Sequence, residues 1–280
     1  MRTQVAIIGG GPAGMFLAHL LREADVAAVV LEQRSRAYVE GRVRAGVLEE
    51  GTVRLMERLG LAGRLRREGL VHGGVNLASE HGLLRIDFAA LTGRAITVYG
   101  QQEVMKDLFD AAEAREIEVM FEAAEVMPHD IDGDRPHVSW RKHGARYRLD
   151  CDFVVGCDGS HGVASSVIPL GALTVYERDY PFGWLGVLAD VPPAADELVY
   201  ANHERGFALA SMRSATRSRY YVQCALTETP AAWPDARFWD ELTLRLGPAG
   251  GGVTRGAAIE KTLAPLRSCV AEPMRFGRLI

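Results

Sequence analysis

The clearest chemistry in this sequence begins at its N-terminus. Gly9, Gly11 and Gly14 form G-x-G-x-x-G, and Glu32 stands 18 residues beyond Gly14. Glycines at this spacing permit a tight turn, close approach of a pyrophosphate and close helix–strand packing. A helix opening at Pro12 would then offer its free N–H groups and its dipole to phosphate charge. An acid at the end of the next strand is placed to accept from an adenosine ribose. Further along, Arg42 and Arg44 sit between Gly41 and Gly46. They suit a pyrophosphate contact or simply a solvated basic loop, and the pattern leaves both open. Asp158-Gly159 ends the apolar run Phe153–Gly156, at the strand edge where α/β proteins bind ligands. Ser211 and Arg213 are two apart, as are Arg219 and Tyr221, so each pair shares a strand face. With only Ser214 to Ser218 between them, the two strands suit a hairpin that converges these polar groups. Arg213 with Ser211 would clamp a carboxylate; the alternative is an exposed arginine-rich hairpin.

The elements that must hold these residues are legible in outline. Val5 to Ile8 reads as a buried parallel strand. Ala13 to Arg22 follows as an amphipathic helix, and Ala27 to Leu31 as a second strand. Val53 to Leu65 reads as one helix. His72 to Val98 is a strand-rich excursion toward a second sheet, after which Val104 to Ala114 is helical and Ile117 to Phe121 a strand. Glu125–Asp130, Pro136–Lys142 and Arg146–Leu149 suit antiparallel strands, with Asp132-Gly133 and His143-Gly144 as turns. From Leu173 the pattern is again β-rich, with a helix over Trp233 to Arg245 and a loop over Pro248 to Gly252. The expected fold class is α/β, a Rossmann-like dinucleotide-binding domain with a second, β-rich domain. The division is 1–172 (with 73–98 as the excursion), 173–267, and a returning strand over 268–280.

Composition narrows the partners. At 280 residues the chain has room for two domains. A net charge of −4 gives no general attraction to nucleic acid or an anionic membrane. Cys151, Cys157, Cys224 and Cys269 form no C-x-x-C, and no histidine pair has metal spacing, which argues against zinc. A reduced cytoplasmic setting is expected. No stretch approaches the roughly 20 apolar residues of a membrane helix.

The chain resembles the 4-hydroxybenzoate 3-monooxygenase family of class A flavoprotein aromatic hydroxylases. The resemblance rests on Val5–Gly14, Gly41–Glu49, Thr97–Gln101, Gly156–Gly159, Tyr180–Gly186, Tyr200–His203, Arg213–Gln223 and Ala264–Ser268, and it covers the whole chain. It implies FAD along Gly9, Gly11, Ala13 and Gly14, with Glu32 on the adenosine ribose. Arg42, Val43, Arg44, Ala45, Gly46, Val47 and Gln101 would contact the cofactor, and Asp158 would help hold it. Ser211, Met212, Arg213 and Tyr221 would line the substrate site and bind its carboxylate. Tyr200 would hydrogen-bond the substrate phenol and help remove its proton, and Arg219 would support flavin movement and charge. His161 and Arg267 would contact NADPH, and O2 would be the second substrate. A homodimer is expected from the same resemblance.

Some residues depart from the family pattern. Gln33 stands where the family often has arginine, Ser160 where it often has an aromatic, and Ser165 where an arginine is common. These positions bear on the nicotinamide cofactor, so NADPH is expected and NADH stays open. The family's second FAD motif (Gly-Asp) and its active-site proline segment do not occur after Gly277-Arg278-Leu279-Ile280. The sequence therefore reads as a fragment of a longer enzyme or a truncated one. The alternatives are a related hydroxylase of another aromatic acid and an inactive nucleotide-binding fragment.

Overall fold

The computed structural model describes residues 1–42, 46–160 and 162–280. It opens with β1 (Val5–Ile8), α1 (Pro12–Glu23) and β2 (Ala28–Leu31), in that order. β1 is buried along its whole length, as an unbroken apolar run in a parallel sheet must be. α1 starts on proline, where a missing N–H costs nothing, and buries Gly14, Met15, Ala18 and His19. β1 and β2 pair in parallel, with Ile8 opposite Leu31.

α2 (Arg36–Gly41) follows, and the Ser35 hydroxyl accepts from the Tyr38 N–H at 3.2 Å to cap it. Next come β3 (Val47–Glu49), α3 (Glu50–Arg58), α4 (Gly63–Glu68) and β4 (Leu70–His72). The single helix expected over Val53 to Leu65 is thus two helices. Gly60 at φ +70° ends the first, in a backbone region that glycine enters at no steric cost. The chain continues through β5 (Gly74–Ser79), β6 (Gly82–Asp87), α5 (Phe88–Thr92), β7 (Ile96–Val98), α6 (Gln101–Ala114) and β8 (Glu118–Met120). A meander of β9 (Ala124–His129), β10 (His137–Lys142) and β11 (Ala145–Asp150) leads to β12 (Phe153–Gly156). Then come β13 (Thr174–Ala189), β14 (Val199–Ala201), β15 (Ala208–Ser214), β16 (Arg217–Ala225), α7 (Asp235–Leu246) and β17 (Ala258–Glu272). The loop expected over Pro248 to Gly252 is a 3-10 helix, Gly247–Gly252.

Among the described residues these strands form four sheets. A parallel sheet of order β12-β1-β2-β8 holds the glycine turn, and a seven-stranded sheet of order β17-β13-β16-β15-β14-β5-β6 makes the second layer. β7, the last strand of the expected excursion, pairs instead with β3 and β4. The final residues return to the parallel sheet: Val154 N–H donates to Arg278 O at 3.0 Å, and Gly156 N–H to Ile280 O at 2.8 Å.

One face of the seven-stranded sheet is closed by α7. Phe238, Trp239, Leu242 and Leu246 pack there with Leu185, Val187, Val199, Tyr220 and Val222, all buried. Alternation along the strands then sends Tyr200, Leu209, Ser211, Arg219 and Tyr221 to the other face. That face carries polar side chains of the sheet. No described helix is long and apolar enough to cross a membrane.

Candidate active site

The glycine turn is shaped by close backbone approach. Gly9 sits at φ +104°, and a Cβ there would come within 2.9 Å of Asp158 Cα. A Cβ on Gly14 would overlap the Gly9 carbonyl. Gly11 precedes α1 with no side-chain cap on the helix end, and a Cβ on it would meet nothing within 4 Å. The turn therefore presents open backbone N–H groups at the start of a helix. Glu32 closes one side of it. Its Oε2 accepts from Gly10 N–H at 2.8 Å and its Oε1 from Arg34 N–H at 2.7 Å. A carboxylate has about four acceptor positions, so each oxygen keeps capacity for a hydroxyl donor.

Asp158 reaches the same place from β12. Its Oδ2 accepts from Ala164 N–H at 3.0 Å, and Gly162 leaves the room the carboxylate occupies. Ile8, Gly9, Leu31, Glu32, Asp158 and Val163 line one cavity of about 210 Å³. The structure thus brings Gly9, Glu32 and Asp158 together. Gly46, Val47 and Gln101 meet at a second place: Tyr99 N–H donates to Gly46 O at 2.8 Å, Val47 pairs with Val98, and Gln101 opens α6. Ala13 lies in the first turn of α1. Arg42 ends α2, with its guanidinium 5.9 Å from the Tyr38 ring and that of Arg34 at 5.2 Å. Arg267 lies on β17 and pairs with Glu177 on β13. Val43, Arg44, Ala45 and His161 lie outside the described residues.

The polar face of the seven-stranded sheet is ordered by register. Tyr200 pairs with Leu209, Leu209 with Tyr221, and Tyr221 with Gly186. Ser211 pairs with Arg219 in the same way. Ser211 is buried, and its hydroxyl donates to Met212 O at 3.2 Å. Arg219 is buried too. Its Nη1 donates to Glu260 Oε1 at 2.9 Å and its Nη2 to Thr262 Oγ1 at 3.0 Å, while its carbon Cζ lies 5.2 Å from the Tyr221 ring centre. Trp184 stacks on Phe207 at 5.2 Å and tilts toward Tyr221 at 5.7 Å, which makes an aromatic wall.

Arg213 is the electrostatic outlier. Its Nε and Nη1 atoms are buried and find no hydrogen-bond partner among the described residues. Burial pulls its pKa down, and the neighbouring Tyr221 opposes that shift. Two buried guanidinium nitrogens without an acceptor are costly. Tyr200 and Arg213 open on different cavities. Tyr200 lines one of about 520 Å³ with Leu77, Ser79, His81, Leu84 and Phe207. Arg213 lines one of about 340 Å³ with Tyr99, Gly100, Gln102 and Glu103. Burial pushes the Tyr200 phenol pKa up, so it stays protonated near neutral pH.

Comparison with known proteins now bears on this geometry. Residues 2–280 match the FAD-binding domain family. The chain is 50% identical over 281 residues to the p-hydroxybenzoate hydroxylase of Acinetobacter baylyi, covering 100% of this chain and 69% of that protein. The chain belongs to the p-hydroxybenzoate hydroxylase family of FAD-dependent monooxygenases. A more distant member of the same group is a 3-(3-hydroxy-phenyl)propionate/3-hydroxycinnamic acid hydroxylase of Burkholderia vietnamiensis. It is 29% identical over 202 residues, or 69% of this chain and 35% of that protein. The fold superposes on p-nitrophenol 4-monooxygenase from Pseudomonas putida with a TM-score of 0.81 at 18% identity, over 100% of this chain and 72% of that one.

As in this family, the residues fit FAD. The turn at Gly9 to Gly14 admits phosphate, and Glu32 keeps acceptor capacity for a ribose. Sequence reasoning missed several contributors. Glu260 and Thr262 hold Arg219 from β17, and His72 places Nε2 3.3 Å from Met212 Sδ. Tyr99 and Asp107 lie behind Gly46. Apart from the Tyr99–Asp107 bond, which spans eight positions, each acts across more than 40 positions of sequence, where no local spacing marks it.

Proposed function

We propose that this protein hydroxylates 4-hydroxybenzoate at carbon 3, giving 3,4-dihydroxybenzoate (protocatechuate) with consumption of NADPH and O2. The atoms balance: one oxygen atom enters the ring, the other leaves as water, and NADPH with a proton supplies the two electrons. The observation that carries the reading is the Arg213 guanidinium beside Tyr221, whose buried Nε and Nη1 atoms find no hydrogen-bond partner among the described residues. A benzoate carboxylate would supply an acceptor with negative charge there, and charge-assisted hydrogen bonds are the strong ones. The naming of the Acinetobacter relative, identical at half of the aligned positions, points the same way.

FAD, when bound, supplies the oxygen-transfer chemistry, and the protein's residues position and gate it. The substrate phenol, with an ordinary pKa of about 10, must give up its proton for the ortho carbon to become electron-rich. Tyr200 and Arg213 open on different cavities, so this reading requires the substrate to lie along the sheet face between them, with Tyr200 hydrogen-bonding the phenol oxygen and passing that proton on. Arg219, fixed by Glu260 and Thr262, supplies positive charge beside the ring. Arg34, against the Tyr38 ring, offers a cationic group for NADPH, and Arg267 and His161 belong to the same reading. A homodimer and a cytoplasmic setting complete it, on the strength of the family resemblance.

The test is NADPH oxidation by the FAD-loaded chain with and without 4-hydroxybenzoate, with the product identified by chromatography. Stimulated oxidation with 3,4-dihydroxybenzoate formed is the expected result. Equal or greater stimulation by another aromatic acid would overturn the substrate assignment. A faster reaction with NADH would overturn the nicotinamide assignment alone.

A further inference from the structure

α6 carries a carboxylate where its packing calls for an apolar side chain. Val104, Met105, Leu108, Phe109 and Ala112 on this helix are buried, and so is Asp107 among them. Burial raises the Asp107 pKa above the ordinary carboxylate range, and Tyr99 and Arg64 oppose the shift. Two donors hold it: Tyr99 O–H at 2.8 Å and Arg64 Nη1 at 2.9 Å. Arg64 also pairs with Glu103. Replacing a buried ion pair by apolar groups is often neutral or stabilising, so stability alone does not account for Asp107.

Tyr99 is held at both ends. Its hydroxyl is fixed by Asp107, and its backbone N–H donates to Gly46 O at 2.8 Å. Gly46 in turn has no room for a side chain. A Cβ there would overlap Arg213 Nη1 and would lie 3.1 Å from Gly100 Cα. The Arg213 guanidinium therefore rests on Gly46, a residue whose carbonyl is tied to Tyr99.

We propose that Asp107 is a positioning residue for the Arg213 guanidinium, acting through Tyr99 and the Gly46 backbone. The inference rests on the reading that Arg213 takes the substrate carboxylate. If Tyr99 loses its anchor, Gly46 shifts, and the fork of the guanidinium turns away from the orientation a bidentate partner needs.

The test uses the FAD-loaded chain and two readouts. The first needs no substrate: the Arg213 Nε–H resonance in a nitrogen-15 NMR spectrum, assigned by its loss in Arg213→Ala. The second is 4-hydroxybenzoate affinity from the change in flavin absorbance. Tyr99→Phe and Asp107→Asn are each expected to shift the Arg213 resonance. Each should also weaken 4-hydroxybenzoate binding about tenfold, the scale of coupling between residues in one network. In an Arg213→Ala background the same substitutions should change affinity by less than about twofold, the limit for independent sites. An unmoved Arg213 resonance would overturn the proposal, as would equal loss of affinity with and without Arg213. Tyr99→Phe removes a single oxygen and carries the test alone if Asp107→Asn does not fold. If the unmodified chain binds no 4-hydroxybenzoate, the substrate reading fails, and the resonance still decides the positioning role.

Discussion

Gly186 stands directly opposite Tyr221 in the β13–β16 pair, and the side chains of Tyr221 and Arg219 occupy the space it leaves. A Cβ on Gly186 would lie 2.8 Å from Tyr221 Cε1 and 2.9 Å from Arg219 Nη2. Neither neighbour can yield easily. Arg219 is pinned by Glu260 and Thr262, and Tyr221 lies against Trp184. Gly186→Ala should therefore act as an overpacking change, destabilising by about 1–3 kcal/mol. Urea unfolding measures it, with a lowered midpoint and an unchanged slope as the signature. An unchanged midpoint would mean that the two side chains are free to move aside.

Arg213 gives a prediction with opposite signs in two states. In the ligand-free chain two buried nitrogens of the Arg213 guanidinium lack a hydrogen-bond partner among the described residues. Arg213→Met keeps much of the volume and removes that charge, so the free protein should be as stable as before or more so. Affinity for 4-hydroxybenzoate should fall roughly 100-fold, the loss of about 2–3 kcal/mol of charged hydrogen bonding. Thermal melting of the free chain, set beside a binding titration, separates the two effects. A large drop in melting temperature would show that the guanidinium already serves the fold.

The glycine turn was readable because its chemistry is local. Strand, turn, helix and acid follow one another within Val5 to Glu32, and each has its own residue-type signal. The shared face of Ser211, Arg219 and Tyr221 was readable for the same reason, since alternation along a strand fixes it. What the sequence hid is register between distant strands. Nothing local sets Gly186 opposite Tyr221, or brings Glu260 to Arg219. The helix break at Gly60 was missed because leucines at helical spacing run on past it through Leu61 and Leu65. Nor does anything local pair the outer halves of the long β13 and β17, Thr174–Asp179 and Arg267–Glu272, which are largely exposed.

Glu32 holds the glycine turn through two backbone donors, Gly10 and Arg34. Glu32→Ala removes both acceptors and whatever ribose contact the carboxylate makes. FAD affinity should drop by about tenfold to 100-fold, since each hydrogen bond to a charged group is worth about 1.5–3 kcal/mol. Glu32→Gln, with one acceptor oxygen in place of two, should fall between. Quenching of flavin fluorescence on titration reports the affinity. If Glu32→Gln binds FAD as weakly as Glu32→Ala, one acceptor oxygen is not enough.

His19 is expected to contribute to the loss of stability in acid. It is fully buried in α1. Its Nε2 lies 3.0 Å from the Leu108 carbonyl, which can only accept, and its Nδ1 lies 3.3 Å from Arg115 Nη1, which can only donate. The neutral ring with its proton on Nε2 satisfies both, and a second proton would place Nδ1–H against a guanidinium. Burial, with Arg115 adding to it, therefore lowers the His19 pKa below its ordinary value, against the pull of the Leu108 carbonyl. The unfolded chain then takes up the proton first, so stability is intact above the unfolded pKa of about 6.5 and is lost as pH falls below it. His72 and His129 are lowered by burial as well and act in the same direction. The melting temperature should hold between about pH 8 and pH 7 and fall steadily toward about pH 5.5, as the unfolding free energy drops by at most about 1.4 kcal/mol per pH unit for each histidine. His19→Gln keeps a donor and an acceptor but no titration, so its melting curve should fall less steeply across that window. An identical slope in the variant would place the acid sensitivity elsewhere, in His72, His129 or the carboxylates.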